Sequence, residues 1–246
     1  MKRIIAEIFV RIYGPLHGFL LRALAYGPWG LFHQISIWIF ARIYGIERPA
    51  KTHFKTLGEF FLRDTLIQAG TSALQSPVEA TAIEGPAPLN FENKFSVKGL
   101  SYSWTGFTEI PLRTLSANTR FWNLYLAPHN YHWVHAPCDG TNLTIHEIPG
   151  KKWPVNGFGR FLCPRLYLEN DRVSFCFNHP SLGKVFMICV GAMGVSSLRI
   201  VSPQATSLKQ GDRLLAFELG STVLLIVENP APSRNPGAVL RVGDDL

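Results

Sequence analysis

The chain has 246 residues, 47% hydrophobic and 17% charged, with a mean hydropathy of +0.11 and a formal net charge of +7. An average soluble domain carries about 25% charged residues, so this composition excludes intrinsic disorder, collagen and coiled coil and leaves ample apolar material for a core. Its four cysteines (Cys138, Cys163, Cys176, Cys189) form no CxxC pair, which argues against a disulfide scaffold or zinc ribbon and fits a reducing compartment.

Residues 1–53 hold seven basic side chains (Lys2, Arg3, Arg11, Arg22, Arg42, Arg48, Lys51) against Glu7 and Glu47, or +5 of the chain's +7. A nucleic-acid binder spreads basic residues over its folded body, so this placement argues against nucleic acid as a partner. Near the start, Ile4, Ile5, Ile8, Phe9 and Ile12 recur at helical spacing, with Arg3, Glu7 and Arg11 on the other side. Glu7 and Arg11 interrupt any signal-peptide core. The stretch from Ala23 to Ala41 has no charged residue and is close to the length of a membrane span. However, Gly27-Pro28-Trp29-Gly30 breaks it, and His33, Gln34 and Ser36 suit hydrocarbon poorly. Residues 1–53 are therefore expected to form amphipathic helices on a membrane surface. Tyr26, Trp29, Phe32 and Trp38 would sit at headgroup depth, with the cations facing anionic phospholipid. A helical cap packed on the core is the alternative.

Helical character continues to about Thr65, through Leu57-Gly58-Glu59-Phe60-Phe61-Leu62-Arg63. Short alternating or wholly apolar runs follow, separated by turn residues. Asn142–Ile148 reads as a strand. Val173, Phe175 and Phe177 share one strand face, Asn178–Gly183 turns the chain, and Lys184–Gly191 is almost continuously apolar. Leu214–Val227 reads as a strand interrupted at Gly220. Residues 229–246 carry three Pro, two Gly and few large apolar side chains, and are expected as a surface tail. The expected fold is α+β, with a mostly antiparallel, sandwich- or barrel-like β core over residues 54–228 behind N-terminal amphipathic helices.

No Walker A, complete GxGxxG, HExxH or GxSxG motif occurs, and Gly157-Phe158-Gly159 lacks the third glycine of a dinucleotide loop. Within Tyr125–Gly140, His129, His132, His135 and Cys138 recur every third residue. On a helix they would form one ridge, but Pro128 and Pro137 oppose a helix, and on a strand the spacing alternates faces. No metal is expected there. A second dense place is Phe217-Glu218-Leu219-Gly220-Ser221-Thr222-Val223, where Gly-Ser interrupts an apolar strand. This is either a β-bulge or a backbone site where a serine hydroxyl attacks the carbonyl before it, which needs the missing Cβ of glycine.

Together these stretches resemble the phosphatidylserine decarboxylases, the pyruvoyl-dependent enzymes of phospholipid synthesis. The matches run in family order: Leu57–Arg63 (LGEFFLR), Ser76-Pro77-Val78-Glu79, Val97–Ser103, and Tyr125–Gly140 with its YH..H pattern. They continue with Asn170–Val173, Val190-Gly191-Ala192 and Leu219–Val223 (LGSTV), so the resemblance covers about residues 55–228. It implies a membrane-bound zymogen that splits itself between Gly220 and Ser221. Chains 1–220 and 221–246 would remain together as a heterodimer, with a dimer of these as the next level of assembly. Ser221 would become a pyruvoyl cofactor that takes the amine of phosphatidylserine and serves as electron sink for CO2 loss, giving phosphatidylethanolamine. By matching positions, His135 is the base for splitting, Glu79 the acid that orients it, and His132 the group that reprotonates the carbanion. The implied location is peripheral, on the cytoplasmic face of a bacterial inner membrane.

The chain departs from the family pattern in several places. Glu79 replaces the usual Asp, His129-Asn130 an Arg-Asp, and Trp133 an Arg. Ser196-Ser197 stands where Gly-Ser is usual, and Gln210, Arg213 and Leu215 stand for a Lys, a Glu and a Gly. These changes support a second reading, an uncleaved relative that acts as a membrane lipid-binding or interaction protein. A decarboxylase of another amino acid or amino-lipid is a third.

Overall fold

The computed structural model describes residues 19–46, 53–68, 70–88, 94–97, 100–103, 115–153, 161, 163, 165–192, 198–218, 221–231 and 237–246. The expected helix at the start of the chain, Gly157-Phe158-Gly159, Ser196-Ser197 and Gly220 lie outside these residues.

After helical residues 19–26, α1 (Leu31–Tyr44) ends where Gly45 takes a φ of +63°, a left-handed conformation that glycine adopts without a Cβ penalty. Its inward stripe is narrow, with His33, Ile37 and Ala41 one turn apart and the last two clustered with Phe60 of α2 (Leu57–Phe61). Thr56 caps α2 by accepting the Glu59 N–H at 3.1 Å, while the Glu59 carboxylate accepts the Lys55 N–H at 2.7 Å. His33 ties the helices together: Leu57 N–H donates to its Nδ1 at 3.2 Å and its Nε2–H donates to the Gly27 carbonyl at 2.6 Å.

The body is antiparallel sheet. Its elements are β1 (Ala80–Pro88), β2 (Lys94–Val97), β3 (Leu100–Ser103), β4 (Arg120–Leu126), β5 (Trp133–His135), β6 (Gly140–Ile148), α3 (Leu166–Glu169), β7 (Arg172–His179), β8 (Gly183–Gly191), β9 (Leu198–Ile200), β10 (Ser207–Leu208), β11 (Arg213–Phe217), β12 (Ser221–Val227) and β13 (Val239–Leu240). An eight-stranded sheet runs β10-β6-β7-β8-β12-β4-β1-β13, beside a three-stranded sheet β5-β11-β9 and the hairpin β2-β3. The large sheet is open, and no closed barrel forms among the described residues. The expected α+β class with a mostly antiparallel core is what the chain adopts.

Side-chain alternation explains the continuous apolar runs. Val223, Leu225 and Val227 of β12 join Val185, Met187 and Cys189 of β8 on one face, against Leu214, Leu215 and Phe217 of the small sheet. Leu224 and Ile226 point the other way with Phe186, Ile188 and Val190, under Trp153, Leu166 and Tyr167. Strands covered on both faces have no need of polar positions. The tight β7–β8 connection closes on Gly183 at φ +72°, as the turn residues there predict.

The expected surface tail is overturned at its end. β13 pairs with β1 (Ala80↔Leu240, Thr81↔Val239), Leu240 and Leu246 are buried in the main core, and Leu246 N–H donates to the Leu74 carbonyl at 3.0 Å. The segment closes an edge of the large sheet despite its few apolar residues.

Candidate active site

Strand register gathers the chemistry at one end of the large sheet. Ser221, the first residue of β12, pairs with Leu126 at the end of β4 and Gly191 at the end of β8. Because Thr81 pairs with Tyr125, Glu79, just before β1, and the 127–132 loop after β4 lie at this same end.

Ser221 is fully buried, and its hydroxyl has no hydrogen-bond partner. Its neighbour Thr222 shows the contrast, with Oγ1 within 2.9 Å of Asn123 Oδ1 and 3.0 Å of the Leu124 carbonyl. A buried unpaired hydroxyl costs about 1–3 kcal/mol, so a serine there needs a reason other than packing.

His132 is equally buried. Its Nδ1 lies 2.7 Å from the Asn130 carbonyl, which can only accept, so Nδ1 carries the hydrogen and the lone pair sits on Nε2. That Nε2 is buried and unpartnered. The ring packs against Phe61, with centroids 4.0 Å apart. Burial pushes the His132 pKa down to about 3, partly opposed by the Asn130 carbonyl.

His135 sits at the end of β5, where its backbone N–H donates to the Pro77 carbonyl at 2.9 Å. Its Nδ1 lies 2.7 Å from the Gly211 carbonyl and its Nε2 3.0 Å from the Tyr131 hydroxyl. Burial lowers its pKa as well.

The structure does not pair Glu79 with His135. Among the described hydrogen bonds, Glu79 Oε1 accepts from Asn130 Nδ2 at 2.8 Å, and Asn130 Oδ1 accepts the Ala127 N–H at 2.8 Å. Glu79 therefore supports the loop whose Asn130 carbonyl holds His132. Two departures from the family pattern explain this contact: the added methylene of Glu79 extends its reach, and an amide at 130 can donate where a second carboxylate would repel. Gly220, the other half of the expected cleavage bond, is outside the described residues.

The four residues at three-residue spacing face four different neighbours. His129 stacks near Tyr44, His132 meets Phe61, His135 meets Tyr131, and Cys138 lies in the main core, its thiol pushed up to about 12 by burial. Among the described residues, no three His, Cys, Asp or Glu side chains are placed to hold a metal ion.

A cavity of about 450 Å3 opens between the helical layer and the small sheet, lined by Tyr26, Arg63, Asp64, Trp133, Arg199 and Glu218 among others. Arg63 donates to the His129 carbonyl at 2.6 Å. Trp133 Nε1 donates to the Leu62 carbonyl at 3.0 Å, and the Arg213 and Arg199 guanidinium carbons lie 4.7 and 5.1 Å from its ring centroid. The Trp133 and Arg213 departures thus meet in space and replace charge on charge with cation on ring. Tyr131 entered the sequence reading only as the tyrosine of the YH..H stretch, without a role, and Arg199 did not enter it, since nothing local marks it as more than a strand residue.

The family model for phosphatidylserine decarboxylase matches residues 57–246. The chain belongs to the phosphatidylserine decarboxylase family. It is similar to the phosphatidylserine decarboxylase proenzyme of Coxiella burnetii (strain RSA 331 / Henzerling II), 31% identical over 242 residues that cover 87% of this chain and 85% of that protein. The proenzyme of Yersinia pestis (strain Pestoides F) is 30% identical over 255 residues, covering 88% and 86%. Membership in this decarboxylase family makes the chain an enzyme, as the YH..H and LGST stretches imply.

Proposed function

We propose that this chain is a membrane-associated proenzyme that splits between Gly220 and Ser221 and then converts phosphatidylserine to phosphatidylethanolamine and CO2. The observation that carries the reading is the buried, unpaired Ser221 hydroxyl at the start of β12, directly after a glycine. Ser221 Oγ attacks the Gly220 carbonyl carbon, giving its proton to a histidine, and the C–N bond breaks as the ester forms. Loss of the Ser221 α-proton then breaks the Cβ–O bond, freeing chain 1–220 as a carboxylate, and water releases ammonia from residue 221.

The residues present fit a pyruvoyl group, since of the two buried hydroxyls without a partner, Ser174 and Ser221, only Ser221 directly follows a glycine, and its oxygen is the atom that formation of the group consumes. Such a group supplies a ketone that takes the substrate amine and accepts the electron pair left by CO2 loss. In this reading His135 is the base for splitting and Glu79 acts through Asn130 on the loop that holds His132. His132 delivers the proton that replaces CO2. Its burial makes it a poor proton holder alone, and an anionic headgroup brought beside it raises its hold on that proton. Arg199, exposed at the cavity wall, suits the lipid phosphate.

We assign the enzyme to the surface of an anionic membrane, on the cytoplasmic face of a bacterial inner membrane. Support comes from the outward side of residues 19–44, where Phe19, Leu24, Trp29, Leu31, Trp38 and Ile43 are exposed beside Arg22 and Arg42. Among the described residues, no helix is long and apolar enough to cross a membrane.

Intact mass under denaturing conditions tests the reading. The expected result is chain 1–220 and a 221–246 chain one ammonia lighter than its serine-initiated form. A single full-mass chain, with membranes present, overturns the reading and leaves an uncleaved lipid-binding relative.

A further inference from the structure

Three residues of the site have no role in that chemistry: Tyr131, Arg213 and Asp64. Tyr131 is fully buried, with its ring stacked on His135 at a centroid distance of 5.7 Å and an interplanar angle of 26°. The Gly211 carbonyl can only accept, so His135 Nδ1 carries the hydrogen and the ring's lone pair lies on Nε2, 3.0 Å from the Tyr131 hydroxyl. The single Tyr131 hydrogen therefore points at Nε2. The phenol oxygen is left free to accept, and Arg213, paired with His135 across the β5–β11 ladder, brings its cation to this side of the ring. Arg213 is ion-paired with Asp64 and rests on the Trp133 ring. The sequence of contacts runs inward from a largely exposed carboxylate, through a half-exposed guanidinium, to a buried phenol and a buried imidazole.

We propose that Tyr131 and Arg213 are positioning residues that hold the His135 ring neutral, with its lone pair on Nε2 covered by the Tyr131 hydroxyl, which turns away to leave that lone pair as the base for splitting. The proposal rests on the reading that Ser221 splits the chain. A carbonyl behind Nδ1 fixes the tautomer but adds no negative charge, because Glu79 is engaged with Asn130. The hydroxyl at Nε2 favours the uncharged ring, and the Arg213 cation beyond it disfavours an imidazolium. The other charged or titratable groups facing His135 are Asp212 before β11, His132 in its own loop, Asp64 behind Arg213, and Glu79 on the segment that pairs with β5. Of these only Asp212 pulls the ring toward its charged form, against Arg213.

The test follows splitting of newly made chain from pH 4.5 to 8 by intact mass. In the unsubstituted chain the rate falls on the acid side with the midpoint of His135. Arg213→Gln and Tyr131→Phe are expected to raise that midpoint by about 0.5–1 pH unit, and Arg213→Lys to restore it. A purely structural role would lower the rate without moving the midpoint, and an unmoved midpoint in both variants overturns the proposal. So does Arg213→Lys behaving as Arg213→Gln. Nitrogen-15 NMR of His135 in the full Ser221→Ala chain decides the matter independently of splitting. The expected form is hydrogen on Nδ1, with a midpoint that rises when Arg213→Gln is added. Hydrogen on Nε2 overturns the proposal. If the unsubstituted chain never splits, the proposed function fails and the NMR result still judges the His135 assignment.

Discussion

The helical layer and the sheet body use the same apolar residues in opposite ways. In the body, Leu225, Phe175 and Val223 are fully buried, and the polar residues buried among them include Ser221, His132 and His135. In the layer, Leu31 is 75% exposed, Ile43 70% and Trp38 53%, while His33, Ile37 and Ala41 of α1 are buried and Phe40 packs partly beside them. A residue buried in protein stabilises the fold, whereas one left in water stabilises a complex with whatever covers it. The body buries its apolar residues within itself, whereas the layer leaves a broad apolar side uncovered. A cavity lies between them, with Tyr26 from the layer and Trp133 from the body on its walls.

The sharpest way to separate the two regions is to remove the unpaired Ser221 hydroxyl from the body. Ser221→Ala is expected to stay a single chain and to lose all decarboxylation, with vesicle binding unchanged. Its stability should hold or rise by about 1 kcal/mol, because the unpaired hydroxyl disappears. Intact mass, CO2 release and denaturant unfolding read the three effects. A split or active Ser221→Ala chain would end the assignment.

Matched truncations break the comparison next. Leu225→Ala opens a cavity in the main core and should cost about 2–5 kcal/mol of stability with little effect on lipid affinity. Leu31→Ala and Ile43→Ala should each change stability by less than about 0.5 kcal/mol and weaken vesicle binding several-fold. If the α1 truncations unfold the protein and leave lipid binding intact, α1 is a cap on the core and not a membrane surface.

How far the sequence carried this division depended on whether a signal was local. β7, β8 and β12 were readable because alternation and unbroken apolar runs are short-range patterns, and the turn closing on Gly183 announces itself by composition. β13 was not, since a two-residue edge strand amid Pro and Gly has no periodicity to detect, and its burial comes from β1 about 160 positions earlier. The Ser221 and paired-histidine positions were legible through the LGST and YH..H stretches. Their partners were not. Whether Glu79 reaches His135 or Asn130 depends on one methylene and a loop geometry, and Arg213 meets Asp64 across 149 positions. Between Ala23 and Ala41 the uncharged run, its break at Gly27–Gly30 and its aromatics were visible, but only packing showed which narrow stripe turns inward.

A smaller effect sharpens the comparison through pH. His132 takes a proton near pH 6.5 when unfolded but only near 3 when folded, so the unfolded state binds more protons between those values. Its contribution to stability is complete above about pH 6.5 and is lost as pH falls toward 3, by up to about 1.4 kcal/mol per unit. His135, shifted the same way, adds to the loss. Chemical unfolding at pH 7 and pH 5 should show His132→Gln with a flatter dependence than the unsubstituted chain. Equal slopes would mean that water reaches the His132 ring.

The smallest expected effect belongs to the layer's charges. Arg42 lies in the last turn of α1, exposed, 5.8 Å from the Trp38 ring centroid, which sets a cation beside an exposed aromatic. A basic residue at an anionic surface contributes about 1 kcal/mol, screened by salt within a Debye length. Arg42→Gln should therefore weaken binding to vesicles containing phosphatidylglycerol about five-fold at low salt, and hardly at all at high salt. Binding to phosphatidylcholine vesicles should not change, since the apolar face is untouched. Arg22, which lies 3.8 Å from Glu218, provides the control: its charge is already partly answered within the protein, so Arg22→Gln should have the weaker effect. Equal losses on neutral and anionic vesicles would mean that Arg42 acts by holding Trp38 in place and not by its charge.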